Sequence, residues 1–194
     1  MRGVLAGRMT TLGIVPLAVV TALVALLAGP VSARQAAEHE VRAAFVYNFT
    51  KFIDWPAAAL PADGFRICVI GDEAFERALA AMVAGESVQG RPVSVTDPAE
   101  PSDVARCQIL YVGRQQAERG RRALAASVRR QILTIGDGPR FLQDGGAIRF
   151  LIEDDRVRFD VNLPAVQRAG VTLTSTVLRV ARRVEKSTEG GPRP

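Results

Sequence analysis

Three short apolar runs, each closed by a glycine, dominate the pattern of hydrophobic and polar positions. They read FRICVIGD at residues 65–72, CQILYVGR at 107–114 and QILTIGD at 131–137. Near-continuous apolar runs are typical of strands that are buried on both faces of a parallel sheet. A glycine followed by Asp or Arg suits a sharp turn from a strand into a helix. The pattern therefore predicts parallel strands whose carboxyl ends all turn in the same way.

An aromatic-rich amphipathic helix is predicted ahead of these strands, over residues 36–55. Its apolar stripe recurs at helical spacing and consists of Val41, Phe45, Phe49, Phe52 and Ile53. Pro56 ends this helix and favours an extended conformation at Trp55. We expect the stripe to pack on the sheet. Tyr47 and Trp55 lie off the stripe and are candidates for a partner-binding surface, although core packing is the simpler explanation of these aromatic residues.

The remaining periodicity predicts an alternation of helices and strands. A helix over residues 73–84 has Asp72 as its N-cap, and a basic helix covers residues 114–129. Between them we expect a short strand over residues 91–95, followed by a loop or broken helix over 97–106 that contains two prolines.

The pattern changes after residue 141 to that of a β-hairpin. Residues 147–152 and 156–161 flank a short polar turn, and in the second strand Asp160 alternates onto a face that we expect to be wet. A short helix or turn at residues 163–170 precedes a last helix from Thr174 or Ser175 to about residue 186, whose polar side carries Arg179 and Arg183. This basic side is a second candidate for partner binding.

These elements together predict an α/β fold. We expect a single-domain sandwich over residues 34–186, with helices flanking a mixed sheet that is parallel in its first strands and ends in the antiparallel hairpin. Residues 187–194 are expected to form a disordered tail.

Residues 1–33 are typical of an export leader. Arg2 and Arg8 precede an uncharged apolar stretch, and small residues end at Ala33, so we expect cleavage before Arg34 and a periplasmic location. An uncleaved membrane anchor is the alternative. The formal net charge of +5 falls to +3 without the two leader arginines, which argues against a nucleic-acid partner.

The two cysteines, Cys68 and Cys107, are expected to form a disulfide, because the oxidising periplasm favours the bond over two buried thiols. The pairing raises a conflict of register. Cys68 lies three residues before its strand-end glycine and Cys107 lies six before its own. With the glycines level, the cysteines would be offset by roughly 10 Å. Either the bond is absent, or the strand is shifted to bring Cys107 beside Cys68; we predict the shift.

The residue types of catalysis are sparse. His39 is the single histidine and is expected to be exposed near the start of the first helix, which argues against a Ser-His-Asp or Cys-His unit. Metal-ligand spacing and a Gly-rich phosphate loop with a following Lys are absent from the sequence, so we expect no metal, no cofactor and no enzymatic activity.

One group of residues suggests ligand binding. Asp72, Arg114 and Asp137 each follow a strand-end glycine and would meet at the carboxyl edge of the sheet, where open α/β sheets bind ligands. A periplasmic small-ligand-binding module is therefore an alternative function. Helix caps and surface charges use the same residue types, and that interpretation stays open.

An ordered set of segments resembles the YfiR family of exported proteins. They are VRAAFVYNFTKFIDWP, FRICVIGD, CQILYVG, ILTIGD, GGAIRFLIEDDRVRFDVN and AGVTLTSTVLRVA. The resemblance implies a periplasmic, non-catalytic α/β protein that restrains an inner-membrane diguanylate cyclase through the cyclase's periplasmic region, lowering cyclic di-GMP and biofilm formation. It also implies the pairing of Cys68 with Cys107. An outer-membrane protein that sequesters the regulator is a further candidate partner, as is a second copy of the chain.

Overall fold

The strand Phe65–Ile70, here β2, lies inside the sheet and is buried on both faces.

The computed structural model describes residues 17–56, 60–128 and 130–186, with side chains from residue 33 onward. The chain divides into two units after Gln35, and the α/β fold belongs to the unit that begins at Ala36. The expected leader (residues 1–33) lies partly, and the expected tail wholly, outside the described residues. In the described part of the chain, the helices are too short or too polar to cross a membrane.

The strands are β1 (Ile53–Asp54), β2 (Phe65–Ile70), β3 (Ser87–Val88), β4 (Arg91–Thr96), β5 (Ile109–Val112), β6 (Leu133–Gly136), β7 (Ile148–Glu153), β8 (Arg156–Asn162), β9 (Thr172–Leu173) and β10 (Arg183–Glu185). The helices are α1 (Leu17–Phe52), α2 (Glu73–Met82), α3 (Ala117–Ser127), α4 (Leu163–Arg168) and α5 (Ser175–Val180), with a 3-10 helix at Asp103–Arg106. Helix α1 thus ends earlier than residue 55, because Ile53–Asp54 pairs with β9 as a strand.

The predicted fold class is confirmed. Eight described strands form one mixed sheet in the order β10-β8-β7-β6-β5-β2-β4-β3, and β1 and β9 form a separate antiparallel pair. The pairs from β4 through β2, β5 and β6 to β7 are parallel, and β7 with β8 is the predicted antiparallel hairpin. Because β4 and β5 lie on opposite sides of β2, the order of the strands reverses between β2 and β5.

Helices cover both faces of this sheet. Phe65, Ile67 and Val69 of β2 belong to a large apolar cluster that includes residues of α1, α2, α4 and α5. Cys68 and Ile70 point to the other face, where a smaller cluster includes residues of α3 and the 3-10 helix. The alternation along one strand therefore reaches two apolar layers, as the continuous apolar run predicted.

The disulfide is present, but the predicted register shift is wrong. Ile70 pairs with Val112, so the strand-end glycines are level, while the Cα atoms of Cys68 and Cys107 lie 5.8 Å apart. Cys107 is not part of β5. It follows the 3-10 helix, ahead of the strand that begins at Ile109, and it lies in the apolar cluster on the Cys68 face. The bond therefore joins the sheet to a connecting segment, which removes the conflict.

The predicted long last helix is also wrong. Helix α5 ends at Val180, and Arg183–Glu185 joins the sheet as β10, parallel to β8. Arg182 lies at this change of structure and makes a bidentate pair with Asp160 (Nε–Oδ1 2.8 Å and Nη2–Oδ2 2.6 Å). Its backbone N–H donates to the carbonyl of Phe159. These tertiary bonds outweigh the local helical pattern.

Asp160 is buried rather than wet, with 1% of its surface exposed. Arg149 donates a further hydrogen bond to it at 2.7 Å. Burial opposes ionisation of Asp160, but the hydrogen bonds from Arg182 and Arg149 outweigh burial and hold its pKa below the usual range. The carboxylate of Asp160 therefore holds Arg182, and with it the start of β10, against the β7–β8 hairpin.

Replacing Asp160 with Asn should lower the free energy of unfolding at pH 7 by about 3 kcal/mol, near the low end for a broken buried ion pair. Both arginines keep partial access to water, which limits the cost. Because the folded-state pKa of Asp160 is depressed, its contribution is present above the unfolded pKa and is lost as the pH falls through the folded value.

Urea unfolding at several pH values measures this difference. The gap between wild type and Asp160→Asn should shrink below about pH 4. Asp63→Asn serves as the matched control, since Asp63 is an exposed carboxylate 3.9 Å from Arg66. Equal stability of wild type and Asp160→Asn at pH 7 would contradict a stabilising role of the ion pairs that Asp160 makes with Arg182 and Arg149.

Candidate functional site

The strands β2, β5 and β6 end level at the carboxyl edge, since Ile70 pairs with Val112 and Val112 with Gly136. Glycine is required there for two reasons. Gly71 has a φ of +73°, which disfavours other residues. Gly113 and Gly136 lack positive φ, but a side chain at Gly113 would strike the backbone of Gly71 and one at Gly136 would strike the ring of Phe141. Close packing, rather than backbone conformation, therefore accounts for these two.

Asp72 is the N-cap of α2, as predicted. Its Oδ1 accepts a hydrogen bond of 3.0 Å from the backbone N–H of Phe75. Its Oδ2 lies 3.6 Å from Nε2 of His39, whose side chain is 21% exposed. His39 is thus half-buried against the edge, contrary to the expectation that it would be exposed.

Arg114 and Asp137 meet at the same edge. Nε of Arg114 donates to Oδ2 of Asp137 at 3.2 Å, and Nη1 of Arg42 donates to the same oxygen at 3.3 Å. Arg42 also pairs with Glu38 one turn earlier on α1, at 3.6 Å. Arg42 is 4% exposed and Asp137 is 8% exposed, so a buried ion pair joins the helix to the sheet.

Two buried groups of this cluster, Asp137 and Tyr111, have raised pKa values. Burial raises the pKa of Asp137, while Arg114 and Arg42 oppose that rise. Burial likewise raises the pKa of Tyr111, which is fully buried and feels the charges of Asp137 and Arg42. Its hydroxyl makes no hydrogen bond within the described residues, and its ring stacks on Phe75 at 4.0 Å.

The carboxylates of this edge have partners within the fold. Asp72 caps α2, and Oδ2 of Asp137 is shared by two guanidinium groups. In the described part of the chain, Oδ1 of Asp137 and Nε of Arg42 are buried without a hydrogen-bond partner. Among the described residues, His, Cys, Asp and Glu side chains form no group of three that could hold a metal ion. The structure therefore favours the helix-cap and ion-pair interpretation for Asp72 and Asp137.

The predicted stripe of α1 was right for Phe49 and Ile53, which are buried, but it missed Arg42 on the same buried face. The buried face carries Arg42, Val46, Phe49 and Ile53, whereas Val41 and Phe52 are 44% and 43% exposed. The spacing of the buried positions is helical, so the signal was available. It was hidden because a charged residue occupies one position on the buried face.

The four predicted partner-binding residues do not form one surface. Trp55 is 6% exposed and packs edge-on against Phe65 at 5.1 Å, so this prediction is corrected: the ring belongs to the core. Tyr47 is half-buried, donates a hydrogen bond to Glu86 and lies under Lys51. Arg179 and Arg183 are exposed, on α5 and on the edge strand β10.

A different surface emerges on α1. Val41, Phe45 and Phe52 recur at helical spacing on one side, and Phe45 contacts the rings of Phe150 and Phe159. The carbonyl of Phe52 accepts a hydrogen bond from the N–H of Thr174, directly before α5, where Val180 is 56% exposed. We group Val41, Phe45 and Phe52 of α1 with Val180 of α5 under the name α1–α5 surface; the hydrogen bond joins Phe52 to the residue before α5, six positions from Val180. Tyr47 lies about 200° around the helix from Phe45 and is not part of it.

Comparison with known proteins gives one family match. The model of a family described as YfiR/HmsC-like matches residues 39–182. Two solved structures are similar at 12% identity: a conserved domain protein from Vibrio cholerae O1 biovar El Tor (TM-score 0.46, 66% of this chain and 56% of that one) and an ABC domain in complex with L-Trp from Streptococcus pneumonia (TM-score 0.47, 63% and 55%). The chain thus spans little more than half the length of either structure.

Replacing Arg42 with Met should lower the free energy of unfolding by about 3–5 kcal/mol, because it leaves the buried carboxylate of Asp137 with one exposed partner. The double variant Arg42→Met/Asp137→Asn should lose less than the sum of the two single variants. Urea unfolding of all four proteins measures the coupling. Arg77→Met is the control, since Arg77 pairs with Glu73 on an exposed surface and should cost under about 0.5 kcal/mol. Strict additivity would contradict a direct Arg42–Asp137 interaction.

Proposed function

Because the chain belongs to the YfiR/HmsC-like family, we propose that it is a periplasmic regulator that binds and restrains an inner-membrane diguanylate cyclase. Binding to the periplasmic region of the cyclase would lower cyclic di-GMP output. The observation that carries this proposal is the family match over residues 39–182, which covers most of the chain. Residues 1–33 would direct export and be removed.

The family is regulatory and non-catalytic. A regulator of this kind acts through differential affinity for two states of its receptor. Moving a receptor from almost fully active to almost fully inactive requires a preference of about 10⁴-fold for the inactive state.

The α1–α5 surface supports binding to a protein partner. Its exposed members are apolar side chains, Phe52 on α1 and Val180 on α5 among them, and the adjoining face of α1 is buried in the core. Arg179 lies beside Val180 and would supply a polar rim. Exposed apolar groups with polar neighbours are typical of protein–protein contacts. An outer-membrane protein or a second copy of the chain that covered this surface would release the cyclase.

The role can be tested in cells that lack the gene. Deletion should raise cyclic di-GMP, measured by mass spectrometry, and the wild-type protein should restore the original level. The variant Phe52→Glu/Val180→Glu should fail to restore it, because two carboxylates would be placed in a desolvated contact. Both positions are exposed, so thermal stability and protein abundance should stay close to wild type.

Val128→Glu is the matched control. Val128 is 47% exposed and follows α3, which packs on the other face of the sheet, so this variant should restrain the cyclase normally. Unchanged cyclic di-GMP after deletion, under several growth conditions, would refute the role. Normal restraint by the Phe52→Glu/Val180→Glu variant would instead refute the surface.

A further inference from the structure

A cavity of about 290 Å³ lies between α3 and the segment that follows β6. Its lining includes Val112, Leu124 and Phe141, which belong to the smaller apolar cluster. The cavity is therefore on the face of the sheet that carries α3, whereas the α1–α5 surface involves the helices that pack on the opposite face. It is not required for the proposed regulation of a cyclase.

The cavity floor is apolar and pre-formed. Val112, Leu124 and Phe141 are each no more than 9% exposed and are fixed by their packing in the cluster. Gly120 allows α3 to lie directly on β5, because a side chain at that position would strike Val112. A rigid floor of this kind favours the apolar body of a ligand, since removing apolar surface from water stabilises the complex at about 25 cal/mol per Å².

The rim is cationic. Arg114, Arg121 and Arg140 line the cavity with side chains that are 60–76% exposed, and Asp144 is the one carboxylate in the lining. The carboxylate partners of Arg114 and Arg121 are Asp137 and Glu118, neither of which lines the cavity. The pair of Arg114 uses its Nε and that of Arg121 its Nη2, so further N–H groups of both guanidiniums remain for a ligand. An anionic group at the rim can accept charge-assisted hydrogen bonds from them.

We propose that this cavity binds a small organic anion, with its apolar body on the floor and its charged group at the arginine rim. The volume is at the lower limit for small-molecule sites, so the body should contain about ten non-hydrogen atoms. The position agrees in part with the general preference of open α/β sheets: the cavity adjoins the carboxyl ends of β5 and β6, on the side of β5 away from the reversal of strand order.

This site differs from the one that the sequence predicted. Of Asp72, Arg114 and Asp137, the lining includes Arg114 alone. Because Arg114 already contacts Asp137 at 3.2 Å, a bound anion would compete with that buried carboxylate for the guanidinium group. Arg114 is therefore left intact in the test, since its removal would also disturb the pair with Arg42.

Titration calorimetry with three probes separates the two parts of the ligand. Octanoate has both the charge and the apolar body, octan-1-ol has the body without the charge, and acetate has the charge without the body. Octanoate should bind at least about tenfold more tightly than either of the other probes, and its affinity should fall as salt is added. The protein is used in the form that the cell produces.

Two variants locate the binding. Ala117→Leu places a larger side chain in the cavity and should abolish octanoate binding, whereas Ala125→Leu, an exposed position on the same helix outside the lining, should not. Arg121→Gln/Arg140→Gln should weaken octanoate at least about tenfold and leave octan-1-ol unchanged. Arg122→Gln, on α3 but outside the lining, is its control.

Loss of octanoate binding in Ala117→Leu, with unchanged melting temperature and normal binding by Ala125→Leu, would support the site. The proposal is overturned if octanoate does not bind to the wild type, or if it binds no better than octan-1-ol. Equal binding to wild type and Ala117→Leu would also overturn it. None of these outcomes depends on the cyclase, so the site and the regulatory function are tested separately.

Discussion

The buried pair of Arg42 and Asp137 determines how α1 lies on the sheet. A guanidinium group that is 4% exposed must have a partner, because an unpaired buried charge costs several kcal/mol. The partner stands directly after β6, at the carboxyl edge, and is shared with Arg114. With Arg42 held there, the rotation of α1 about its own axis is fixed.

The fixed rotation decides which side chains the helix buries and which it presents. Val46 and Phe49 enter the core, and Val41 and Phe52 lie at the margin of the buried face, where they are 44% and 43% exposed. An interaction buried inside the fold thereby produces an apolar surface outside it. The two proposed sites lie on different faces of the sheet: the protein-binding surface involves α1, and the cavity proposed for a small anion adjoins α3.

Much of the fold was predictable, because burial on both faces leaves an apolar run that few other structures produce. The parallel strands, the hairpin and the Asp72 cap follow from local signals of this kind, whereas the disulfide was inferred from the two cysteines of an exported chain. The errors arose where distant residues decide the outcome. Arg42 can occupy a position on the buried face of α1 because it pairs with Asp137. That partner is 95 residues away in the sequence, so the local pattern does not reveal it. Likewise β10 replaces a helix because Arg182 pairs with Asp160, and no local pattern reports that contact. The cavity, which depends on packing between α3 and a later loop, left no signal in the sequence.

Site-specific photo-crosslinking in living cells tests the regulatory account most directly. A photoreactive phenylalanine analogue would replace Phe52 on the α1–α5 surface, and in a second strain Val128 near α3. The account predicts a covalent adduct from position 52, but not from 128, with an inner-membrane protein that carries a diguanylate cyclase domain. Absence of that adduct, or equal adducts from both positions, would contradict it.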